Sequence, residues 1–293
     1  MLTFPPVSGL TPMQAACLPS PADCEAYAQR GWHVSGTILP AALLDAAAED
    51  IARYRRGERD ARIPTPQRPT TGPKAPGRSS GSTATCLCKC ARSAISWPTR
   101  RSPRSPACWP DHRDPPVPRS PDRETGGLTP MRPNRLAYGH GVLGSASSAK
   151  LLTAWIPLAD CGAAQGTLAV VEGSHRWPSI SMERRFLTPD AHGRVPDALV
   201  PSGVEPAVRV LPVARGQIVF HHSRVLHRSE PNRSPAARVA LAVHLQDAGN
   251  RYRPWIQENG RRAMHSNELL CRQNPDGLPD FGDPAVFPVL WRA

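Results

Sequence analysis

One stretch limits the folds open to this chain more than any other: Gly216–Gln246, GQIVFHHSRVLHRSEPNRSPAARVALAVHLQ. Its apolar runs Ile218–Phe220 and Val239–Leu245 flank a polar turn of Ser229, Glu230, Pro231, Asn232, Arg233, Ser234 and Pro235. Apolar runs of strand length around a Pro/Asn/Ser cluster predict two antiparallel strands joined by a loop. In that pairing His227 closes the first strand and Arg238 opens the second, so both stand at one end of a sheet. An imidazole able to bind a metal then lies beside a guanidinium able to clamp a carboxylate. A histidine at a strand end is ordinarily a surface residue, and an arginine there a solvated one. The intervening PNRS turn and the apolar strand after Arg238 favour ligand roles for both, and leave Arg233 as the solvated arginine. Burial of Arg238 would require an anionic partner.

These residues resemble the C-terminal half of the double-stranded β-helix core of the phytanoyl-CoA dioxygenase family, which are non-haem iron and 2-oxoglutarate oxygenases. The family's distal histidine, the xSxPNRS that follows it and the arginine eleven positions on fall here on His227, Ser229 and Arg238. Leu151–Pro178, LLTAWIPLADCGAAQGTLAVVEGSHRWP, is similar to the family's central strand pair. The resemblance implies a mainly β chain with flanking helices around a jelly-roll, cupin-like core. It implies Fe(II) and 2-oxoglutarate as cofactors, and dioxygen and a small organic or acyl substrate as reactants in a hydroxylation. His227 is then an iron ligand, while Arg238 holds the distal carboxylate of 2-oxoglutarate and Ser229 adds a hydroxyl bond. Two histidines and one aspartate would leave three iron positions open, two for 2-oxoglutarate and one for dioxygen.

At 293 residues the chain is long enough to bury a full core in one domain. Eight cysteines at irregular spacings, with no apolar leader behind a basic start, speak against a secreted disulfide framework. No apolar run approaches a membrane span, so the expected compartment is the cytoplasm. The net charge of +12 is concentrated: residues 61–135 hold fourteen Lys and Arg against four Asp and Glu, a net of +10. The same window holds fifteen of the 35 prolines and half the cysteines. The basicity therefore belongs to one segment and not to the fold, and nucleic acid is not an expected partner.

In chain order, residues 1–60 read as the entry to the core. Ser20 and Pro21 suit an N-cap and first helical position for a helix to about Arg30, Trp32–Leu39 suits a strand, and Pro40 opens a helix ending near Gly57. Leu43, Leu44, Ala47, Ile51 and Tyr54 share one face of that second helix. Residues 61–143 are atypical. Residues 144–249 form the core, with strands at Leu151–Pro157, Thr167–Glu172 and Ala207–Leu211 and a loop over 178–206 placed across the barrel mouth. Residues 250–293 form a covering segment, and the whole is one domain.

The atypical segment has no period of two or 3.6, and at face value is a basic, proline-rich disordered insert. It occupies the place where the family carries a helix and the first metal-binding strand. Excess Arg, Pro, Ser and Gly is also what a GC-rich gene yields out of frame. Reading Thr85–Pro110 from each codon's third base permits VSLQVRAIRDLLAHPAIAAIARLLAG, which has an apolar stripe at helical spacing. Reading Leu136–Gly144 from each codon's second base permits WHTDTAYW, which contains HxD. On a strand, residues two apart share a face, so that His and Asp grip one metal together. The expectation is a frameshift over 61–143.

In the chain as it stands, Ala137 and Gly139 take the HxD positions and neither binds iron. His140 is the nearby ligand-capable side chain and the replacement candidate. His221 and His222 are expected to serve packing or solvent contact, and His175 to be a structural hydrogen-bonder. Cys86, Cys88 and Cys90 lack the paired spacing of a zinc site. The expected function is an Fe(II)- and 2-oxoglutarate-dependent dioxygenase, inactive here for want of HxD. The alternative is a non-catalytic β-barrel scaffold whose basic arm binds nucleic acid or acidic surfaces.

Overall fold

The computed structural model describes residues 12–56, 58, 108–110, 136–138, 145–178, 186–187, 195–256, 260, 262–263, 268 and 270–289. His140, Gly139 and Cys86, Cys88 and Cys90 lie outside the described residues, as does most of the segment assigned to a frameshift.

A short helix, α1 (Pro12–Ala16), precedes α2 (Pro21–Arg30), whose start is fixed by a capping box. The Ser20 hydroxyl accepts from the Asp23 N–H while the Asp23 carboxylate accepts from the Ser20 N–H. Gly31, at φ 80°, ends the helix and donates its N–H to the Tyr27 carbonyl. The strand that follows, β1 (Trp32–Val34), is shorter than the sequence suggests. Beyond Val34 the backbone turns off the sheet, and the N–H groups of Ile38 and Leu39 both reach the Gly216 carbonyl at 3.0 Å. Helix α3 (Ala41–Arg55) begins after Pro40 as expected.

Eleven further strands follow: β2 (Cys108–Pro110), β3 (Leu136–Tyr138), β4 (Leu151–Pro157), β5 (Leu168–Val171), β6 (Phe186–Leu187), β7 (Val208–Val210), β8 (Val219–His222), β9 (Leu226–Ser229), β10 (Ala240–Gln246), β11 (Trp255–Ile256) and β12 (Arg262–Ala263). Ten of the twelve form two five-stranded antiparallel sheets, ordered β1-β8-β4-β10-β2 and β6-β3-β9-β5-β7. Two of these strands were not legible: β2 in the proline-rich segment pairs with β10, and β6 interrupts the expected 178–206 loop to pair with β3.

The anticipated hairpin across the PNRS turn does not form. Strand β9, which carries His227, belongs to one sheet, while β10, which follows Arg238, belongs to the other. Strand β10 pairs instead with β4 along its whole length, from Ala240↔Pro157 to Gln246↔Leu151. The physical reason lies in β4, whose residues are buried at every position but Leu152. A strand buried on both faces sits in a sheet's interior, and β4 takes β8 and β10 as its two neighbours.

Alternation along β4 divides its two faces. Ala154 and Ile156 pack with Ile218, Leu241 and Val243 against Leu44, Ala47 and Ile51 of α3. Each such Leu or Ile buried stabilises the fold by about 1.5–3 kcal/mol. Trp155, on the opposite face, packs with Val219 and Ala240 against Leu168, Val170 and Val225 of the second sheet. The tail residues Cys271, Phe281 and Val286 cover Ala146 and Leu151. Among the described residues no helix is long and apolar enough to cross a membrane.

Candidate functional site

The position of His227 follows from its strand's anchoring. The Leu226 N–H donates to Ser174 Oγ at 2.9 Å, and that hydroxyl donates to the Val171 carbonyl at 2.7 Å. One buried serine thus ties the start of β9 to the end of β5. His227 Nδ1 lies 2.9 Å from the Val225 carbonyl oxygen. A carbonyl only accepts, so Nδ1 carries the proton, and in the neutral tautomer this leaves the lone pair on Nε2.

The His227 ring lies 4.4 Å from the ring of His221, centroid to centroid, at 45°. His221 is 3% exposed; burial, and then the neighbouring His227, hold its pKa well below the usual imidazole value. It is therefore neutral across the physiological range. His221 is the register partner of Thr153 on β4, and Thr153 Oγ1 lies 3.0 Å from His244 Nδ1. His222 Nδ1 accepts the Arg224 N–H, and His175 Nε2–H donates to the Ala28 carbonyl at 3.0 Å, both in structural roles as expected.

Arg238 is placed by the PNRS turn. Asn232 Oδ1 accepts from the Ser234 N–H and hydroxyl, and its amide donates to the Ala236 carbonyl. The turn is fastened to the preceding β4–β5 loop by Arg233 N–H to Ala164 O at 2.7 Å and Glu230 N–H to Thr167 O at 2.8 Å. Gly166, at φ 76°, makes that approach possible, since a Cβ there would stand 2.3 Å from the Glu230 carbonyl oxygen. Arg233 itself is exposed, as the sequence suggested.

The Arg238 guanidinium carbon lies 5.6 Å from the centroid of the Trp155 ring, and its Nη1 is buried. Trp155 is 2% exposed, and its indole N–H is buried with no hydrogen-bond partner among the described residues. The sequence reading overlooked this residue. Its signal was the alternation of β4, which sets Trp155 on the face away from Ala154 and Ile156.

Thr153 and Trp155 are two apart on that face, about 7 Å along the strand. His227 joins the Thr153 level through His221, and Arg238 covers Trp155. Both side chains therefore border the same inter-sheet space, although their strands do not pair. Ser229, 1% exposed, lies two residues beyond His227 opposite Leu168.

The register of β3 bears directly on the metal ligands. Ala137 is the cross-strand partner of His227, with Val170 its partner on the other side. Among the described residues no group of three His, Cys, Asp or Glu could hold a metal ion.

Residues 134–240 match the family model described as phytanoyl-CoA dioxygenase (PhyH). Phytanoyl-CoA dioxygenase domain-containing protein 1 of Mus musculus is 34% identical over 117 residues, covering 37% of this chain and 38% of that protein. The Caenorhabditis elegans homolog is 26% identical over 108 residues, covering 36% of this chain and 37% of its own. The chain thus spans under two fifths of the curated relatives it matches. Among solved structures, the non-heme alpha ketoglutarate dependent epimerase SnoN from nogalamycin biosynthesis aligns with TM-score 0.54 at 18% identity, covering 93% of this chain and 96% of that one. EctD from S. alaskensis with 2-oxoglutarate and 5-hydroxyectoine aligns with TM-score 0.51 at 16% identity, covering 92% and 87%. At these identities the likeness is one of fold.

Proposed function

We propose, from the match of residues 134–240 to the phytanoyl-CoA dioxygenase family model, that this chain has the site of an Fe(II)- and 2-oxoglutarate-dependent oxygenase with its metal ligands incomplete. The two antiparallel sheets are read as the faces of a double-stranded β-helix, a jelly roll with α3 packed outside. Arg238 and Ser229 are assigned to the distal carboxylate of 2-oxoglutarate, and Trp155 Nε1–H is added as a further donor. The observation that carries this reading is Arg238 over Trp155, a guanidinium and an unpartnered indole N–H meeting beside the apolar cluster of Leu168, Val170 and Val219. A planar fork beside a buried donor suits a carboxylate, and burial strengthens each bond.

His227 is assigned as the distal metal ligand through Nε2. The other ligands do not fit iron. The strand position across from His227 carries the methyl group of an alanine, and Gly139, two residues on, has no side chain. When complete, such a centre supplies the redox chemistry; among the described residues this chain supplies the carboxylate anchor and one imidazole. The missing pair is attributed to a frameshift in the gene over residues 61–143. The substrate class proposed is a small organic or acyl compound, and the compartment the cytoplasm.

Calorimetric titration of 2-oxoglutarate into the full chain tests the anchor. Binding lost in Arg238→Gln supports the assignment, whereas no binding, or binding indifferent to R238Q, overturns it. Iron-dependent formation of succinate by the unaltered chain would overturn the incompetence.

A further inference from the structure

We infer that this chain binds C5 dicarboxylates without any metal contribution, because its carboxylate corner is present while its metal position, a separate group of residues, pairs His227 with an alanine. The inference rests on the assignment of Arg238 and Trp155 to a carboxylate. Those two residues meet on the β4–β10 side of the inter-sheet space, and the Gly166-locked turn holds Arg238 there.

The metal position is defined by cross-strand register. Residues directly opposed on antiparallel strands project from one face with Cβ atoms about 4.5–5.5 Å apart. Ala137 is the residue that the register pairs with His227. His221, the imidazole nearest His227 among the ring contacts, is buried on the facing sheet with its Nδ1 turned to the His222 carbonyl at 3.4 Å. One imidazole is a weak site, and chelation needs at least a second.

This separation has a chemical signature. In a metal-coupled site the 2-oxo group and adjacent carboxylate of 2-oxoglutarate would both bind the ion, so glutarate, of equal length without the oxo group, binds more weakly. Here the distal carboxylate does the binding, and the two dicarboxylates become equivalent.

The experiment is calorimetric titration of tag-free full-length chain with 2-oxoglutarate and with glutarate, each in EDTA and in Ni(II). Four affinities agreeing within about threefold, a spread under 1 kcal/mol, are expected. Ni(II)-dependent tightening of 2-oxoglutarate alone by about tenfold or more, whether or not His140→Ala or His221→Ala removes it, overturns the inference. If neither dicarboxylate binds, or R238Q leaves both unchanged, the carboxylate assignment has failed and the inference falls with it.

Ala137→His supplies the complementary arm. A second imidazole across from His227 should tighten Ni(II) binding by about a hundredfold, as joined ligands do, and make 2-oxoglutarate the preferred dicarboxylate. His227→Ala in the same background should cancel both gains. A folded A137H chain that gains no Ni(II) affinity overturns the placement of Ala137 at the metal position. If A137H does not fold, the four-way comparison on the unaltered chain still decides.

Discussion

The guanidinium of Arg238 lies over the ring of Trp155, whose indole N–H is buried without a partner among the described residues. Stacking of this kind is attractive and fixes the plane of the arginine fork. Trp155→Phe keeps one aromatic ring but removes the N–H together with the rest of the indole. It should weaken 2-oxoglutarate binding by about 1.5–3 kcal/mol, the range for a hydrogen bond to a charged group. Because it leaves a cavity at a 2% exposed position, it should also lower fold stability. Arg238→Lys keeps the charge but loses the fork, and should weaken binding as well. Calorimetry beside urea unfolding separates the two effects, and W155F with unchanged affinity would exclude the indole from the site.

Gly166 tests whether the turn holds the arginine. An alanine there meets the Glu230 carbonyl at 2.3 Å, while Gly203, with the same φ of 76°, has nothing within 4 Å of an added Cβ. Gly203→Ala should cost only the left-handed backbone strain, about 1–2 kcal/mol. Gly166→Ala should cost more than G203A in urea unfolding, because the turn must also move away from the β4–β5 loop. It should lower dicarboxylate affinity too, since Arg238 leaves from that turn, whereas G203A should leave affinity alone. Equal stability losses would contradict the close approach.

Ser174 joins β5 and β9, two neighbouring interior strands of the second sheet. Ser174→Ala leaves the Leu226 N–H and the Val171 carbonyl without their shared hydroxyl in a buried setting. The expected destabilisation is about 1–3 kcal/mol by chemical denaturation. Hydrogen exchange at Leu226 should accelerate beyond what the global loss explains, and unchanged protection there would refute the bridge.

His175 predicts a pH dependence of definite sign. Burial is the main cause of its lowered pKa, with the Ala28 hydrogen bond opposing, so the folded protein holds it neutral where the unfolded chain takes up a proton. Its contribution is complete above the unfolded value near 6.5 and is lost as pH falls through and below it. Neutral Nε2–H also donates to Ala28, and a glutamine offers the same donor without titrating. His175→Gln should therefore flatten the decline in stability between about pH 6.5 and 5 relative to the unaltered chain. Parallel curves for the two proteins would show that His175 titrates freely.

How much of this was legible depended on whether local chemistry or pairing decided the outcome. The Ser20–Pro21 start, the Pro40 start and the β4, β5 and β7 strands were read directly, because caps and alternation act within a few residues. The partner of β10 was misread: the PNRS turn suggested a hairpin, but the demand of β4 for two neighbours carried the chain into the other sheet. His227 lies beside His221 and Arg238 over Trp155, so each is related to the same face of β4 although their strands do not pair. Trp155 was invisible because an indole in an apolar strand reads as core. Strand β2 was hidden by its prolines, for Pro110 ends a three-residue edge strand, a place where proline is tolerated.

The gene offers the last test. Ala137 was matched to the first HxD position by choosing among permitted codons with the family's ligands in view, and the cross-strand register sets that residue opposite His227. If the segment is out of frame, the nucleotide sequence across codons 60–145 should contain insertions or deletions whose correction restores a helix-patterned stretch and a histidine and aspartate in place of Ala137 and Gly139. The corrected chain should then bind Ni(II) through His227 and prefer 2-oxoglutarate to glutarate, both abolished by His227→Ala, and form succinate with iron. An unbroken frame would make Ala137 a native residue, and the metal-independent dicarboxylate site would then be the evolved state of this protein and not a lesion in it.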